Sequence, residues 1–328
     1  MEEAGFPLLS APAEPLFEII EKTDDTITVR HQYGESTIPR NPERIITEYW
    51  TSELLISIGI MPIGHISWED EGISPIVTAE APDMIYLPAA EGANYEQVAT
   101  LEPDLIIGAN WIGGYGDENE YKLMSAIAPT LPFNGCPCNY RREATLLLGE
   151  LFDRQEEATQ FLADYDQQVS DLRAQVSQVF GDETVSPLIF WGPDPWLYAP
   201  RYPEDGRVYI EDTAGWLYHE MGLAPGPEIM GLLVPDEGEF LWGVDLISGE
   251  LLPEIQADHL VVFPNGYSNA EGISGEYTEF TENQLWQTLP AVQADNVHLI
   301  IGVNKARGYY TLLDNMRIFA DTISGESQ

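Results

Sequence analysis

The chain has 328 residues, 44% of them hydrophobic, which suits two domains of about 150 residues with a core in each. Its 14 Lys and Arg residues face 55 Asp and Glu residues, so the formal net charge is −41. Such a surface repels phosphate backbones and anionic membranes, which excludes nucleic acids and lipid surfaces as main partners. The acidic residues are spread along the chain, and this indicates either a high-salt habitat, where salt screens repulsion, or a generally acidic protein.

The first residues carry no targeting signal. Met1–Pro15 lacks the basic and apolar regions of a signal peptide, so we expect either a cytoplasmic protein or one whose leader precedes this numbering. No apolar run reaches about 18 residues, and the sequence therefore predicts no transmembrane helix.

The first predicted elements describe a small hairpin followed by an α/β pattern. Residues 1–23 are acidic and proline-rich, which predicts a flexible arm. Residues 26–39 alternate apolar and polar side chains around a Tyr-Gly-Glu turn, which predicts a hairpin. A strand at 44–47, a helix beginning near Thr51 and a strand at 62–66 follow with short connections. This order is typical of a parallel α/β sheet.

A long amphipathic pattern occupies the middle of the chain. Residues 143–180 contain no proline and place hydrophobic side chains at seven-residue spacing, which predicts one helix that Gly181 ends. At 1.5 Å per residue it would span roughly 50 Å and join two lobes. The predicted organisation is therefore a flexible arm, an N-terminal α/β lobe, an interlobe helix and a C-terminal α/β lobe, at 1–23, 24–142, 143–180 and 181–328.

The two halves contain similar segments in the same order. Ile58–Gly64 resembles Met221–Gly226 in its placement of Gly and Pro. In each half a glutamate lies eight residues before an aspartate that precedes a strand, at Glu96 and Asp104 and at Glu250 and Asp258. These similarities predict two related α/β lobes.

The loops at the carboxyl ends of the predicted strands are candidates for ligand binding, because open α/β sheets bind ligands there. Aromatic side chains supply flat apolar walls and arginines supply bidentate hydrogen bonds to ligand oxygens, although either type also occurs in cores and surface ion pairs. The candidates are Trp50, Trp68, Trp111, Trp191, Trp196, Tyr198, Trp242, Tyr267 and Tyr309, with Arg141, Arg142, Arg201, Arg207 and Arg307.

Catalytic and metal-binding patterns are lacking. The chain contains no Gly-x-Ser-x-Gly, phosphate-loop or Gly-x-Gly-x-x-Gly motif, and its five histidines show no ligand spacing. Cys136 and Cys138 flank one proline, and two thiols cannot complete a four-coordinate zinc site, so we expect a thiol pair or a local disulfide. The sequence thus predicts a binding protein without catalytic residues, cofactor or direct metal ligands.

Four ordered motifs resemble a known family over about residues 26–320. They are Arg44-Ile45-Ile46 with Glu53-Leu54-Leu55-x-x-Ile58-Gly59-x-x-Pro62-Ile63-Gly64, then Leu101-Glu102-Pro103-Asp104-Leu105-Ile106-Ile107, Ile127-Ala128-Pro129-Thr130, and Leu285-Trp286-x-x-Leu289-Pro290-Ala291-Val292. This set resembles the class III, helical-backbone solute-binding proteins of ABC importers, and the third motif is similar to their iron–siderophore branch.

The resemblance implies two Rossmann-like α/β lobes joined by a single long rigid helix, with a ligand cleft between the lobes. It also implies an exported, periplasmic or membrane-anchored monomer that docks on an ABC permease through one glutamate of each lobe, here Glu96 and Glu250. The implied ligand is a ferric siderophore, cobalamin or haem, and Tyr267 or Tyr309 could serve as an axial haem ligand.

The third motif and the aromatic loops favour a ferric siderophore among these ligands. The negative field of the chain favours a hydroxamate or citrate–hydroxamate complex of low charge over a strongly anionic catecholate. Two functions of other classes remain open, a siderophore-processing α/β enzyme and a protein-interaction module that uses its aromatic loops.

Overall fold

The computed structural model divides the chain into two compact units. Of the described residues, those from 15 to 165 together with 308–311 form the N-terminal unit, and those from 166 to 304 together with 312–325 form the C-terminal unit. The structure describes residues 15–48, 50–67, 75–89, 92–109, 118–134, 140–190, 192–198, 214–232, 244–246, 249–266, 272–304 and 308–325.

The N-terminal unit begins with a three-stranded antiparallel sheet of β1 (Glu18–Lys22), β2 (Thr26–His31) and β3 (Gly34–Pro39), in that order. The predicted hairpin is confirmed, since β2 and β3 pair along their whole length and Gly34 has the positive φ of 123° that its turn requires. The prediction that 18–22 belongs to a flexible arm is wrong. The Ile-rich β1 pairs with the free edge of β2, where Glu18 lies opposite Arg30 and forms an ion pair with it at 3.0 Å.

A parallel five-stranded sheet forms the core of the N-terminal unit. Its order is β6-β5-β4-β7-β8, and the strands are β4 (Ile45–Glu48), β5 (Gly64–Ser67), β6 (Ile85–Pro88), β7 (Leu105–Ala109) and β8 (Thr130–Phe133). The helices of this unit are α1 (Thr51–Ser57), α2 (Pro75–Glu80), α3 (Tyr95–Thr100), α4 (Glu118–Ser125) and α5 (Arg141–Leu151). The central strands β4, β5 and β7 are buried, as parallel strands covered on both faces are, and β7 is apolar along its length.

The predicted single helix over 143–180 is in fact two helices, α5 and α6 (Gln155–Phe180). The chain turns at Asp153, whose φ of 56° lies in the left-handed region that Asp tolerates. Gly149 lets the helices meet closely there, because a Cβ at this residue would lie 2.8 Å from the Cβ of Ala158. The helix α6 nevertheless belongs to both units, since the division falls between Tyr165 and Asp166.

The C-terminal unit repeats the parallel pattern with one antiparallel addition. Its sheet has the order β12-β10-β9-β13-β14, with β11 also paired to β9; the strands are β9 (Thr184–Phe190), β10 (Pro195–Tyr198), β11 (Ala224–Pro225), β12 (Val244–Leu246), β13 (His259–Phe263) and β14 (Val297–Leu299). The helices are α7 (Trp216–His219), α8 (Pro227–Leu232), α9 (Gly275–Thr281), α10 (Pro290–Gln293) and α11 (Tyr309–Ser324), with 3-10 turns at Gly249–Glu254 and Trp286–Thr288. The first three residues of α11 belong to the N-terminal unit.

In both sheets an aspartate carboxylate accepts backbone hydrogen bonds at the amino ends of the strands. The Asp104 carboxylate accepts hydrogen bonds from the backbone N–H groups of Glu43 at 2.8 Å and Arg44 at 3.0 Å, just before β4. The Asp258 carboxylate accepts from the N–H and the hydroxyl of Thr184, both at 2.8 Å, where β9 begins. The predicted relation between the two halves is therefore confirmed at these aspartates.

Asp153 also connects the small sheet to the turn between α5 and α6. One carboxylate oxygen lies 3.0 Å from Lys22 Nζ and the other 2.8 Å from a nitrogen of Arg40. Hydrogen bonds from Lys22 and Arg40 hold the pKa of Asp153 below its ordinary value. Two of the few basic residues of the chain are thus held at one exposed carboxylate.

We expect two substitutions at Asp153 to separate charge from backbone strain. Asp153→Asn removes the charge but tolerates the left-handed φ, and it should lower the free energy of unfolding by about 1 kcal/mol at low salt. Asp153→Ala should lose roughly 1 kcal/mol more, because alanine disfavours that φ. Urea unfolding at low and molar salt checks this. The loss in the Asn variant should shrink with salt while the Ala–Asn difference persists, and a difference that also vanishes would contradict the strain.

A second titratable cluster lies at the amino end of the C-terminal sheet. His259 Nδ1 lies 3.0 Å from His298 Nε2, and His259 Nε2 lies 2.7 Å from a Glu183 carboxylate oxygen. The Phe180 ring packs edge-on against both imidazoles. Burial, together with the neighbouring His259, lowers the pKa of His298 to about 4.

This pKa predicts a pH-dependent contribution of His298 to stability. Because the folded pKa lies below the unfolded value of about 6.5, the contribution is complete above pH 6.5 and is lost as the pH falls toward 4. The difference in unfolding free energy between the wild type and His298→Gln should therefore decrease over this window. Chemical denaturation at several pH values measures it, with Gln293→Asn as an exposed control, and a pH-independent difference would disprove the assignment.

Candidate functional site

In each unit the carboxyl ends of the parallel strands form the edge where open α/β sheets bind ligands. In the N-terminal unit, β4 ends there at the buried Glu48 and β5 at the buried Ser67. The Glu48 carboxylate lies against β7, because a Cβ at Gly108 would stand 2.5 Å from its Oε2. Each helix that follows a strand, such as α1 after β4 and α5 after β8, begins at this same edge. We call it the N-terminal ligand edge.

A buried polar network supports the start of α1 at this edge. The hydroxyl oxygens of Thr47 and Ser52 lie 2.6 Å apart, and Ser52 Oγ lies 2.6 Å from His65 Nδ1. A serine beside a histidine is also the pairing used by nucleophilic enzymes. Ser52 is only 1% exposed, so the pair connects α1 to β4 and β5 instead of facing a substrate. The sequence analysis missed this contact because nothing local relates Ser52 to His65.

The carboxylate of Glu53, one residue later, caps a helix from the other end of the chain. Its Oε2 accepts the backbone N–H groups of Tyr310 at 2.7 Å and Thr311 at 3.2 Å, and its Oε1 accepts the Thr311 hydroxyl at 2.7 Å. Burial raises the pKa of Glu53, while the hydrogen bonds from Thr311 and Tyr310 and the charge of Arg141 act in the opposite direction. The sequence analysis did not identify Glu53 as a site residue.

Three predicted ligand residues stand at helix starts in the N-terminal unit. Trp50 precedes α1, Arg141 is the first residue of α5 and Tyr309 is the first residue of α11, and all three are buried. Arg141 lies close enough to Glu53 for their charges to interact, whereas the neighbouring Arg142 is exposed. Trp50, Arg141 and Tyr309 thus share one feature, which is a position at the start of a helix.

Tyr309 has a packing role in this structure. Its side chain is 1% exposed, and its ring centroid lies 5.1 Å from that of Phe161 and 4.8 Å from that of Tyr165, both edge-on. The Thr145 hydroxyl donates a hydrogen bond of 3.4 Å to its phenol oxygen. Direct ligand contact by Tyr309 stays a prediction, and so does its role as an axial haem ligand.

The corresponding edge of the C-terminal unit carries an aromatic group that the sequence analysis missed. Phe190 ends β9, and its ring centroid lies 5.3 Å from those of Tyr277 and Phe280 on α9. Trp286 contacts both of these rings edge-on at 6.1 and 5.9 Å. These residues were missed because no helix was predicted at 275–281.

Two predicted ligand residues lie on β10. Trp196 is half-buried there and pairs with Ile189, and Tyr198 ends that strand opposite Val244.

Several predicted residues have no structural description. Trp68, Trp111, Trp191, Arg201, Arg207, Trp242, Tyr267 and Arg307, as well as Cys136 and Cys138, lie outside the described residues. Glu96 is exposed in the first turn of α3, and Glu250 lies in the 3-10 turn Gly249–Glu254. Their roles stay predictions.

The described part of the chain contains neither a metal-binding cluster nor a helix that could cross a membrane. No group of three or more His, Cys, Asp or Glu side chains is arranged there to bind a metal ion. None of the helices in the described ranges combines the length and apolarity that a bilayer crossing needs.

Comparison with known proteins gives relatives across most of the chain. The probable siderophore-binding lipoprotein YfiY of Bacillus subtilis is 28% identical over 306 residues, which are 90% of this chain and 87% of that protein. The iron(3+)-hydroxamate-binding protein YxeB of the same organism is 26% identical, over 85% of this chain and 78% of that protein. The crystal structure of Staphylococcus aureus SirA with staphyloferrin B superposes with a TM-score of 0.66 at 22% identity, covering 90% of this chain and 97% of that one.

The match to SirA supports the same fold, with α/β units and a long helix. The family model described as periplasmic binding protein matches residues 74–301, which include strands, helices and predicted site residues of both units. That stretch is more than half of the chain, and the protein therefore belongs to the periplasmic binding protein family.

Proposed function

We propose that the protein is an extracytoplasmic substrate-binding protein that captures a ferric siderophore and delivers it to an ABC permease for iron uptake. The observation that carries this proposal is family membership across both units, together with relatives named for siderophore and iron(3+)-hydroxamate binding over 85–90% of the chain. The carboxyl edges of the two sheets support it, since they carry buried polar side chains in one unit and an aromatic group in the other. Its action is binding and delivery, as in the family to which it belongs.

The favoured ligand is a ferric hydroxamate or citrate–hydroxamate of low charge. A net charge of −41 disfavours a strongly anionic chelate at low salt. At the N-terminal ligand edge the buried acidic side chains of Glu48 and Glu53 accompany the buried Arg141. In this proposal the aromatic candidates pack against the organic shell of the chelate, and the arginines donate hydrogen bonds to its oxygens.

A tryptophan-fluorescence titration tests the function and the ligand class together. With eight tryptophans, a bound ferric chromophore should quench strongly, and we expect saturable quenching below about 1 μM for one ferric class. The panel is a ferric hydroxamate, a ferric citrate–hydroxamate, a ferric catecholate, haem and cobalamin, each at low and molar salt. Circular dichroism verifies that the protein is folded. Saturation by haem or cobalamin alone would replace the siderophore assignment, and no quenching at all would contradict the proposed function.

We further propose that Glu96 and Glu250 contact the permease, one from each unit. A carboxylate on each unit, which is exposed in the case of Glu96, can pair with basic residues of a membrane subunit.

Substitution of the two glutamates tests this docking role. Glu96→Gln and Glu250→Gln should raise by about tenfold the concentration of binding protein that half-saturates ligand uptake, because each removes one charge pair. Neither change should alter the Kd for the ferric ligand. Reconstituted permease vesicles measure the first quantity and fluorescence the second, with the exposed Glu156→Gln on α6 as the matched control. Equal uptake by all three variants would rule out the docking role.

A further inference from the structure

The start of α9 is held by hydrogen bonds on both sides of Ile273. The side-chain amide of Asn265 donates to the carbonyl oxygen of Gly272 at 2.8 Å, just before this residue. Ser274 follows it and caps the helix, since its hydroxyl oxygen accepts the backbone N–H of Tyr277 at 3.1 Å. Because α9 follows the parallel strand β13, this helix start lies at the carboxyl edge of the C-terminal sheet. Ile273 therefore has a defined position at an edge of the kind that binds ligands.

The Ile273 side chain is exposed at this position. Half of its surface, 50%, is accessible to solvent. An apolar residue just before a helix cap often packs on an apolar residue four positions after the cap. Here that position is Thr278, which is polar and exposed. Ile273 thus does not make the usual hydrophobic contact of a helix start, and its apolar surface is available to a ligand.

Tyr277 is the most exposed ring of the aromatic group at the same edge. Phe190, Phe280 and Trp286 are buried, whereas Tyr277 is half-buried. Edge-on contacts hold its ring, with centroid distances of 5.3 Å to Phe190 and 6.1 Å to Trp286. Its hydroxyl has no hydrogen-bond partner in the described part of the chain, although buried phenols usually have one. Burial raises the pKa of Tyr277, so its hydroxyl is a neutral donor at physiological pH.

The groups at this helix start favour an uncharged ligand with apolar segments. Ile273 supplies apolar surface and Tyr277 one donor, and the exposed acidic side chain of Glu276 lies between them in the sequence and disfavours anionic groups. An oligomethylene chain has no polar atoms, so its burial against Ile273 gains hydrophobic free energy without loss of hydrogen bonds. A peptide segment at the same place would lose water from its amide groups.

We propose that Ile273 is a specificity-determining residue, through which the ligand site selects ferric hydroxamates joined by oligomethylene spacers over those carried on a peptide ring. The Tyr277 hydroxyl donates a hydrogen bond to a hydroxamate oxygen, which both classes have, and so adds affinity without this selection. The inference rests on the proposed function and names its substrate class more narrowly.

The test compares ferrioxamine E, whose hydroxamates are joined mainly by methylene chains, with ferrichrome, whose hydroxamates are carried on a peptide ring. Both are uncharged tris-hydroxamates, so the negative field of the protein acts on them alike. Tryptophan quenching measures the two Kd values, and we expect the wild type to bind ferrioxamine E more tightly. Ile273→Ser should raise the Kd of ferrioxamine E about tenfold, because apolar contact is lost, and that of ferrichrome less than about twofold.

Two further variants show whether the effect belongs to Ile273. Tyr277→Phe keeps the ring and removes the hydroxyl, so it should raise both Kd values by a similar factor of about five and leave their ratio unchanged. Ile20→Ser replaces an isoleucine of similar exposure, 42%, on β1 of the N-terminal unit, and it should change neither Kd.

Alkylation of a cysteine at the same position tests the contact independently of affinity. The thiol of Ile273→Cys should react with a maleimide, and saturating ferrioxamine E should slow this reaction severalfold. Ile20→Cys is the control and should react at one rate with and without the ligand. Peptide mass mapping distinguishes each new thiol from Cys136 and Cys138.

The outcomes separate this inference from the proposed function. If the wild type binds no ferric ligand of the panel, the proposed function fails, and the specificity role fails with it. If the wild type binds a ferric ligand but neither hydroxamate, or binds both hydroxamates and Ile273→Ser leaves their Kd ratio unchanged, the specificity role alone is overturned. If Ile273→Ser does not fold, the alkylation decides, and equal rates with and without ferrioxamine E overturn the inference.

Discussion

The start of the last helix is held by a carboxylate from the first helix, and the N-terminal unit is organised around this contact. Glu53 accepts three hydrogen bonds from Tyr310 and Thr311, while Gly308 leaves room for its side chain. Among the described residues, the unit is therefore built from two separate stretches of sequence, a long one ending at 165 and a short one at 308–311. Removing the acceptor would leave buried N–H groups unpaired, and such groups are costly in a protein interior. The aromatic packing of Tyr309 depends on the same helix start.

Two of the few basic residues of this acidic chain bind the backbone at the ends of helices. Arg44 donates to the carbonyl groups of Leu101 and Glu102, where α3 ends. Arg173 donates through Nε at 2.9 Å to the carbonyl of Glu220, where α7 ends. Helix carboxyl ends carry unpaired carbonyl groups and a partial negative charge, so cations are favoured there. The acidic surface thus includes exposed positions where a positive side chain pairs with backbone carbonyl groups at a helix end.

The strands and hairpins that have a short-range sequence pattern were predicted correctly. Buried parallel strands such as 105–109 are continuous apolar runs, and the 26–39 hairpin combines alternation with a glycine turn, so both were found. The break in the long helix was missed because the hydrophobic spacing continues through the turn at Asp153, whose left-handed φ leaves no pattern in composition. Strand β1 was missed because its acidic surroundings resemble a flexible segment, while its order comes from pairing with β2. The Ser52–His65 pair and the Glu53 cap join residues distant in sequence, and no single-chain pattern relates them.

The N-terminal unit is assembled from two separate segments of the chain, and this has a consequence for biosynthesis. The stretch 166–306 lies between its two parts, and at about 5–20 residues per second its synthesis takes on the order of 10 s. During this interval the nascent unit lacks the donors of Tyr310 and Thr311 that bind Glu53, and the buried position of that carboxylate is unfavourable until these residues emerge. Contacts of such long sequence separation also form late and slow the folding of a chain. The N-terminal unit of such a polypeptide therefore stays incompletely folded until the residues near 310 have been made, although most of its own sequence is synthesised first.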